Sequence, residues 1–175
     1  KKLAFDPARD FDLLTVAVQI ANVLVVPANA PFDSVAALIS HGKAHPGKLS
    51  FANSGSGASD HLAAALFLER SGIQALHVPY KGGAPAINDL LGGQVDASFQ
   101  NINAVLPYIA SGKLKALGQT GRVRSPVLPQ TPTMAEAGVP GMEVQSWQGL
   151  AAPRGLAPGV RRQLLDVLQQ SLRSP

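Results

Sequence analysis

The chain has 175 residues, 46% hydrophobic and 15% charged, with 17 glycines, 14 prolines and a formal charge of +4. There is room for one full domain, or one domain and part of another, and the composition excludes both a disordered chain and a helical bundle. No cysteine is present, which excludes disulfides, thiolate chemistry and cysteine-ligated zinc.

The chain opens "KKLAFDPARDF", without Met, and reads there as the interior of a domain, so a piece of a longer protein is expected. "LLTVAV" (Leu13 to Val18) and "NVLVVP" (Asn22 to Pro27) are β-branched strand runs. Asp33 or Ser34 then caps a helix with Val35, Leu38 and Ile39 on one face, ended by "HPGK". "KLSFANS" is a strand, "GSGAS" a loop, and a helix follows from about Ser59 to Arg70, stopped by Gly72. The pattern repeats with "ALHVPY", the loop "KGG" and a helix over Ala84 to Leu91. It repeats again with "QVDASF", "QNIN", a helix to about Ser111, and the strand "KLKALGQT". Such alternation with short loops predicts an α/β fold, a parallel sheet covered by helices on both faces. From Gly121, "GRVRSPVLPQTPTMAEAGVPG" reads as a proline-rich surface excursion with one short helical stretch near Thr133 to Ala137. "EVQSWQGLAAP" returns to strand, and Pro158 to Leu172 is the strongest amphipathic helix, with Val160, Leu164, Val167, Leu168 and Leu172 on one face.

The basic residues come singly or in pairs (Lys1-Lys2, Arg122 and Arg124, Arg161-Arg162), with no aromatic-basic ladder, so no nucleic-acid partner is expected. No run reaches the roughly 18 apolar residues of a membrane span, and no signal peptide is visible. Three strand-to-helix junctions stand out: "NSGSGAS", "YKGGAPA" and "FQNINA". With parallel strands all three fall at one sheet edge, where helix N-termini offer N–H groups to a carboxylate or phosphate. A serine nucleophile elbow needs glycines two residues to each side, and neither Ser54 nor Ser56 has them. Ser56, Asp60 and His61 are close in sequence, but the last two start one helix and point apart, so no catalytic residue is expected. A serine-dependent hydrolase or transferase of α/β class stays as the alternative, and an interaction domain that binds nothing small as a third. No phosphate-loop motif is present, and Lys81 precedes its glycines. His41 and His45 have chelating spacing but no third ligand, so no metal and no cofactor are expected. His77 is expected in the core, and Trp147 there by default, with a hinge or a ligand wall as its alternatives; His61 is either a ligand contact or loop scaffold.

Taken in order, "NVLVVPANAPFDSVAALI", "HPGKLSFANSGSGASDHLAAALF", "HVPYKGGAPAINDLLGGQVDASFQN", "GKLKALGQT", "RSPVLPQTPTMAEAGVPG" and "SWQGLAAP" resemble the Bug (Bordetella uptake gene) family, the extracytoplasmic solute receptors of tripartite tricarboxylate transporters. The resemblance covers nearly the whole chain. It implies a periplasmic-binding-protein-like, two-lobed α/β fold that closes around a small organic carboxylate (a di- or tricarboxylate, an amino acid or an aromatic acid). It further implies a periplasmic location, delivery to integral membrane transporter subunits, and family sequence before Lys1 and beyond Pro175, the N-terminal lobe segment and signal peptide being outside this chain. Residues 1–24 would end the first lobe and make the first hinge crossing. Residues 25–145 would form the second lobe, a mostly parallel sheet with helices on both faces, and residues 146–175 would cross back. The family's second-lobe ligand contacts map onto Ser54, Gly55, Ser56, Gly57, Ala58, Ser59 and His61, onto Tyr80, Gly82, Gly83 and Ala84, and onto Gln100 and Asn101 in the segment ending at Asn103. The chain departs from the family at Ala58, where Thr is usual, and at Gln100, where Asp is common.

Overall fold

The computed structural model describes residues 4–173, so the Lys1-Lys2 pair lies outside the described residues. Chain contacts divide it into two compact units, one of residues 20–146 and one of residues 1–19 with 147–175.

The larger unit is built on strands in the order β3-β2-β4-β1-β5. These are β1 (Phe11–Pro27), β2 (Leu49–Asn53), β3 (Ala75–Pro79), β4 (Ala97–Asn101) and β5 (Leu114–Gln119). β2 pairs in parallel with both β3 and β4. The sheet is mostly parallel, as expected, and β1 is the exception: it is antiparallel to β4 on one side and β5 on the other. It therefore ends at the edge from which the other four strands start. The two runs expected as separate strands are one strand of 17 residues, because nothing between them is a turn former.

Within β1, Val23 to Val26 are fully buried and alternate between two cores. Leu24 and Val26 face the cluster formed with α2 (Val35–Ala44) and α3 (Ser59–Ser71), which contains Leu38, Phe51, Phe67 and Phe99. Val23 and Val25 face the cluster formed with α4 (Gly83–Leu91) and α5 (Ile102–Ala110), which contains Ile87, Leu90 and Val105. Burial on both faces is why this run is continuously apolar rather than alternating. Ser34 caps α2 by accepting from the Ala37 N–H, and Gly72 ends α3 in the left-handed region at φ 66°. The helical stretch read near Thr133 is a single turn, held by reciprocal bonds between Thr133 and Glu136. It lies along the free edge of β5: Gln119 donates to the Pro132 carbonyl and accepts from the Met134 N–H.

The smaller unit contains α1 (Pro7–Asp10), the start of β1, most of β6 (Gln145–Pro153), which pairs with β1, and α6 (Pro158–Arg173). Asp6 caps α1, and the Arg154 N–H donates to the Asp10 carbonyl. No residue of α6 is buried, so its apolar face (Val160, Leu164, Val167, Leu172) is open. Trp147, expected in the core, is 62% exposed. His77 is exposed as well, because β3 is the edge of the sheet and most of its residues face outward. Its ring meets that of His61 on α3 edge-on, with centroids 4.9 Å apart. Partial desolvation first, and the neighbouring His61 second, push the His77 imidazole below its ordinary value of 6.5.

Phe51, Phe67 and Phe99 pack with centroids 5.7 to 6.5 Å apart and are fully buried, so Phe67→Ala removes the centre of one core. It should cost about 3–5 kcal/mol in a denaturant titration. His77 should titrate below the free-histidine value by NMR, and His61→Gln should restore only part of the difference, desolvation being the larger cause. The unfolded chain then binds the His77 proton first, so the His77 shift leaves stability unchanged well above pH 6.5 and lowers it as pH falls from there through the folded value.

Candidate functional site

The Gly/Ser loop after β2 is organised around Asp60, which is only 4% exposed. Its carboxylate accepts from the Ser54 N–H at 2.6 Å, the Ser54 hydroxyl at 3.0 Å and the His61 N–H at 2.9 Å. The Asn53 side chain accepts from the Gly55 N–H, and the loop crest is tied down by a Gly57 N–H donating to His61 Nδ1 at 3.1 Å. Hydrogen bonds therefore fix the loop from inside. They also dispose of a serine triad: Asp60 serves Ser54, His61 Nδ1 serves a backbone N–H, and Ser56 is exposed on the crest.

The second loop is stitched to the first by the Gly82 N–H donating to the Ser54 carbonyl at 3.0 Å. Gly82 has φ 110°, a conformation that favours glycine, and it turns the chain directly into α4. A helix begins with N–H groups that have no intrahelical partner. At α1 and α2 an Asp or Ser side chain takes them. At α3, α4 and α5 the N-cap residues are Ala58, Gly82 and Asn101, and none makes a side-chain capping bond. Because β2, β3 and β4 are parallel, these three uncapped starts share one edge of the sheet.

They surround a cavity of about 410 Å3, the size of a small-molecule site. Ser54, Ser59, Asp60, Gln100 and Asn101 supply polar walls, and Ala84, Ile87, Ala104 and Tyr108 supply apolar ones. Among the described residues no Lys, Arg or His lines it, and its single charged residue, Asp60, already accepts three hydrogen bonds. Gln100 is also engaged, donating through Nε2 to the Ser98 hydroxyl at 2.8 Å. Asn22 of β1 is different. Its main chain is bonded both ways to Thr120, N–H to hydroxyl at 2.9 Å and carbonyl from the Thr120 N–H at 2.8 Å. Its side chain is fully buried, lines the cavity, and has no partner for either Nδ2 or Oδ1. Asn101, its register partner on β4, has an unpartnered Oδ1 on the same wall.

Of the residues singled out in the sequence, Ser54, Ser59, Gly83, Ala84, Gln100 and Asn101 line this cavity. Gly55, Ser56, Gly57, Ala58, His61, Tyr80 and Gly82 do not. Ser56 and Gly57 are exposed at the crest, and Ala58 and Gly82 bond back to the loops through their N–H groups. The Tyr80 hydroxyl donates to Asp89 at 2.6 Å, a bond that raises its pKa above 10.0, and His61 packs on His77. Sequence reasoning missed Asn22, Asp60 as the loop's anchor, and the α4 and α5 side chains Ile87, Asn88, Ala104 and Tyr108. The i, i+4 spacing of Ala104 and Tyr108 could have revealed the latter pair, since it places both on one helix face. Asn22 carried no such signal, because only the pairing of β1 brings it to this edge.

Residues 1–175 match the family described as the tripartite tricarboxylate transporter family receptor. The protein BugT of Bordetella pertussis is 39% identical over 165 residues, 93% of this chain and 51% of that protein. Among solved structures, Rpa4515 of R. palustris with adipate is 36% identical with TM-score 0.91, covering 98% of this chain and 56% of that one. MatC from Rhodopseudomonas palustris with bound malate is 30% identical with TM-score 0.91, covering 99% and 59%. The chain spans about half the length of the curated relatives it matches. On its sequence along its whole length, and on its fold, the chain belongs to the tripartite tricarboxylate transporter receptor family.

Proposed function

We propose that the protein carrying this chain is a solute receptor, not an enzyme, which captures a small organic carboxylate at the cavity of residues 20–146 and delivers it to the membrane subunits of a tripartite tricarboxylate transporter. The observation that carries this reading is the set of three helices whose N-termini converge, uncapped, on one cavity. Each helix start carries about half a positive charge and free N–H groups, so a carboxylate there is held without a cationic side chain. The bound adipate and malate of the two solved relatives support the ligand class. A periplasmic location belongs to the same proposal. Among the described residues no helix is long and apolar enough to cross a membrane.

Within this reading the ligand contacts are Ser54 and Ser59, the Gly83 and Ala84 backbone, Gln100 and Asn101, while Asp60 and His61 hold the loop in shape. The remaining loop residues, Gly55 to Ala58, with Tyr80 and Gly82, position these contacts. Residues 25–145 are taken as the second lobe, with 1–24 and 146–175 as the crossings and parts of the first. The open apolar face of α6 suits burial against further polypeptide of a longer protein.

The test is a thermal-shift and calorimetric screen of the intact protein against mono-, di- and tricarboxylates, amino acids and aromatic acids. A matching ligand at 100 times its dissociation constant should stabilise the fold by about 2.7 kcal/mol. A folded sample stabilised by none of them, or an esterase activity abolished by Ser56→Ala, would overturn the reading.

A further inference from the structure

Asn22 is the one side chain on the cavity wall that is fully buried with both its donor and its acceptor unpartnered. A buried amide in that condition is costly unless something in the cavity supplies both an acceptor and a donor. A carboxylate supplies acceptors only. The same wall holds a second orphan acceptor, Asn101 Oδ1. The two asparagines face each other across the β1–β4 ladder, which sets their Cα atoms about 5 Å apart. Asn101 is also the N-cap of α5. The unpartnered amides thus lie next to one of the helix starts at which the carboxylate would be received.

We infer that the ligand carries a hydrogen-bond donor, a hydroxyl or an ammonium group, on the carbon beside its carboxylate, and that Asn22, with Asn101, is the specificity-determining residue that reads it. This rests on the carboxylate-receptor reading above and narrows it to 2-hydroxy and 2-amino acids. A hydroxyl donates its one hydrogen to Asn22 Oδ1 or Asn101 Oδ1, an ammonium group donates to both, and Asn22 Nδ2 donates to the carboxylate or to the hydroxyl oxygen. An unsubstituted acid of the same length leaves buried amide oxygens unsatisfied, which is how a polar site rejects an analogue that lacks the polar group. Neither asparagine has another structural task for its orphaned atoms, since the Asn22 backbone is already secured by Thr120.

The experiment compares matched acids by isothermal titration on the intact protein: succinate, malate and aspartate, then glutarate, 2-hydroxyglutarate and glutamate, then adipate with its 2-hydroxy and 2-amino forms. At the chain length that binds, a substituted acid should bind at least ten-fold tighter than its parent. Asn22→Leu should bring the ratio of substituted-acid to parent-acid affinity down to about one, because the group that distinguishes the two acids is gone. Asn101→Ala serves as the second variant if Asn22→Leu does not fold, and the wild-type comparison stands without either. Equal or tighter binding of the parent acid overturns this inference and leaves the receptor reading intact. Binding of no carboxylate in the panel overturns both.

Discussion

The structure depends on where β1 is forced to lie. Four consecutive apolar residues, Val23 to Val26, must be buried on both faces, and only the interior of the sheet satisfies that demand. Once there, the strand runs against β4 and β5. Its first fully buried residue, Asn22, therefore arrives at the edge where β2 and β4 end and their helices begin. A single strand placed by hydrophobic burial thus contributes the floor of a polar cavity. The residues that hold the core and the residue that awaits a partner are neighbours in sequence.

The electrostatics of the cavity follow from backbone rather than side chains. An anion site built on lysine would bring a mobile, strongly hydrated charge. This one offers fixed dipoles at three helix starts, and it keeps its only charged residue, Asp60, bonded to Ser54 and His61. Asp60 lies in the first turn of α3, where it complements the helix dipole and satisfies donors that a ligand would otherwise compete for. The starts of α4 and α5 carry no such carboxylate, and apolar Ile87 and Ala104 lie beside them. The mixture suits a short acid with a carbon chain better than a phosphate.

Much of this was legible in the sequence, and the parts that were not have a common cause. Periodicity and capping residues located the helices, and the β-α alternation placed three loops at one edge. Local chemistry sufficed because those features are local: Ser34 caps where it stands, and Gly72 ends the helix it follows. The direction of β1, the exposure of His77 and the role of Asp60 were not legible, because each depends on a partner far away in sequence or on which strand forms an edge. Trp147 and the α6 face show the same limit. Amphipathic patterning says that an apolar surface seeks cover, and says nothing of whether these 175 residues provide it. The resemblance located the loops, yet only hydrogen-bond geometry separated Ser59, on the cavity wall, from Ser56, on the crest.

The proline-rich excursion after β5 also has a consequence for the edge of the sheet. An unpaired strand edge is a template on which another chain can polymerise. On one side of the sheet that template is interrupted at the end of β5, since Pro132 and Met134 take the outward-facing groups of Gln119 and the prolines around them cannot extend a ladder. On the other side β3 is only five residues long and ends in Pro79. What reads in sequence as a string of breakers thus closes the Gln119 end of this edge to a further strand.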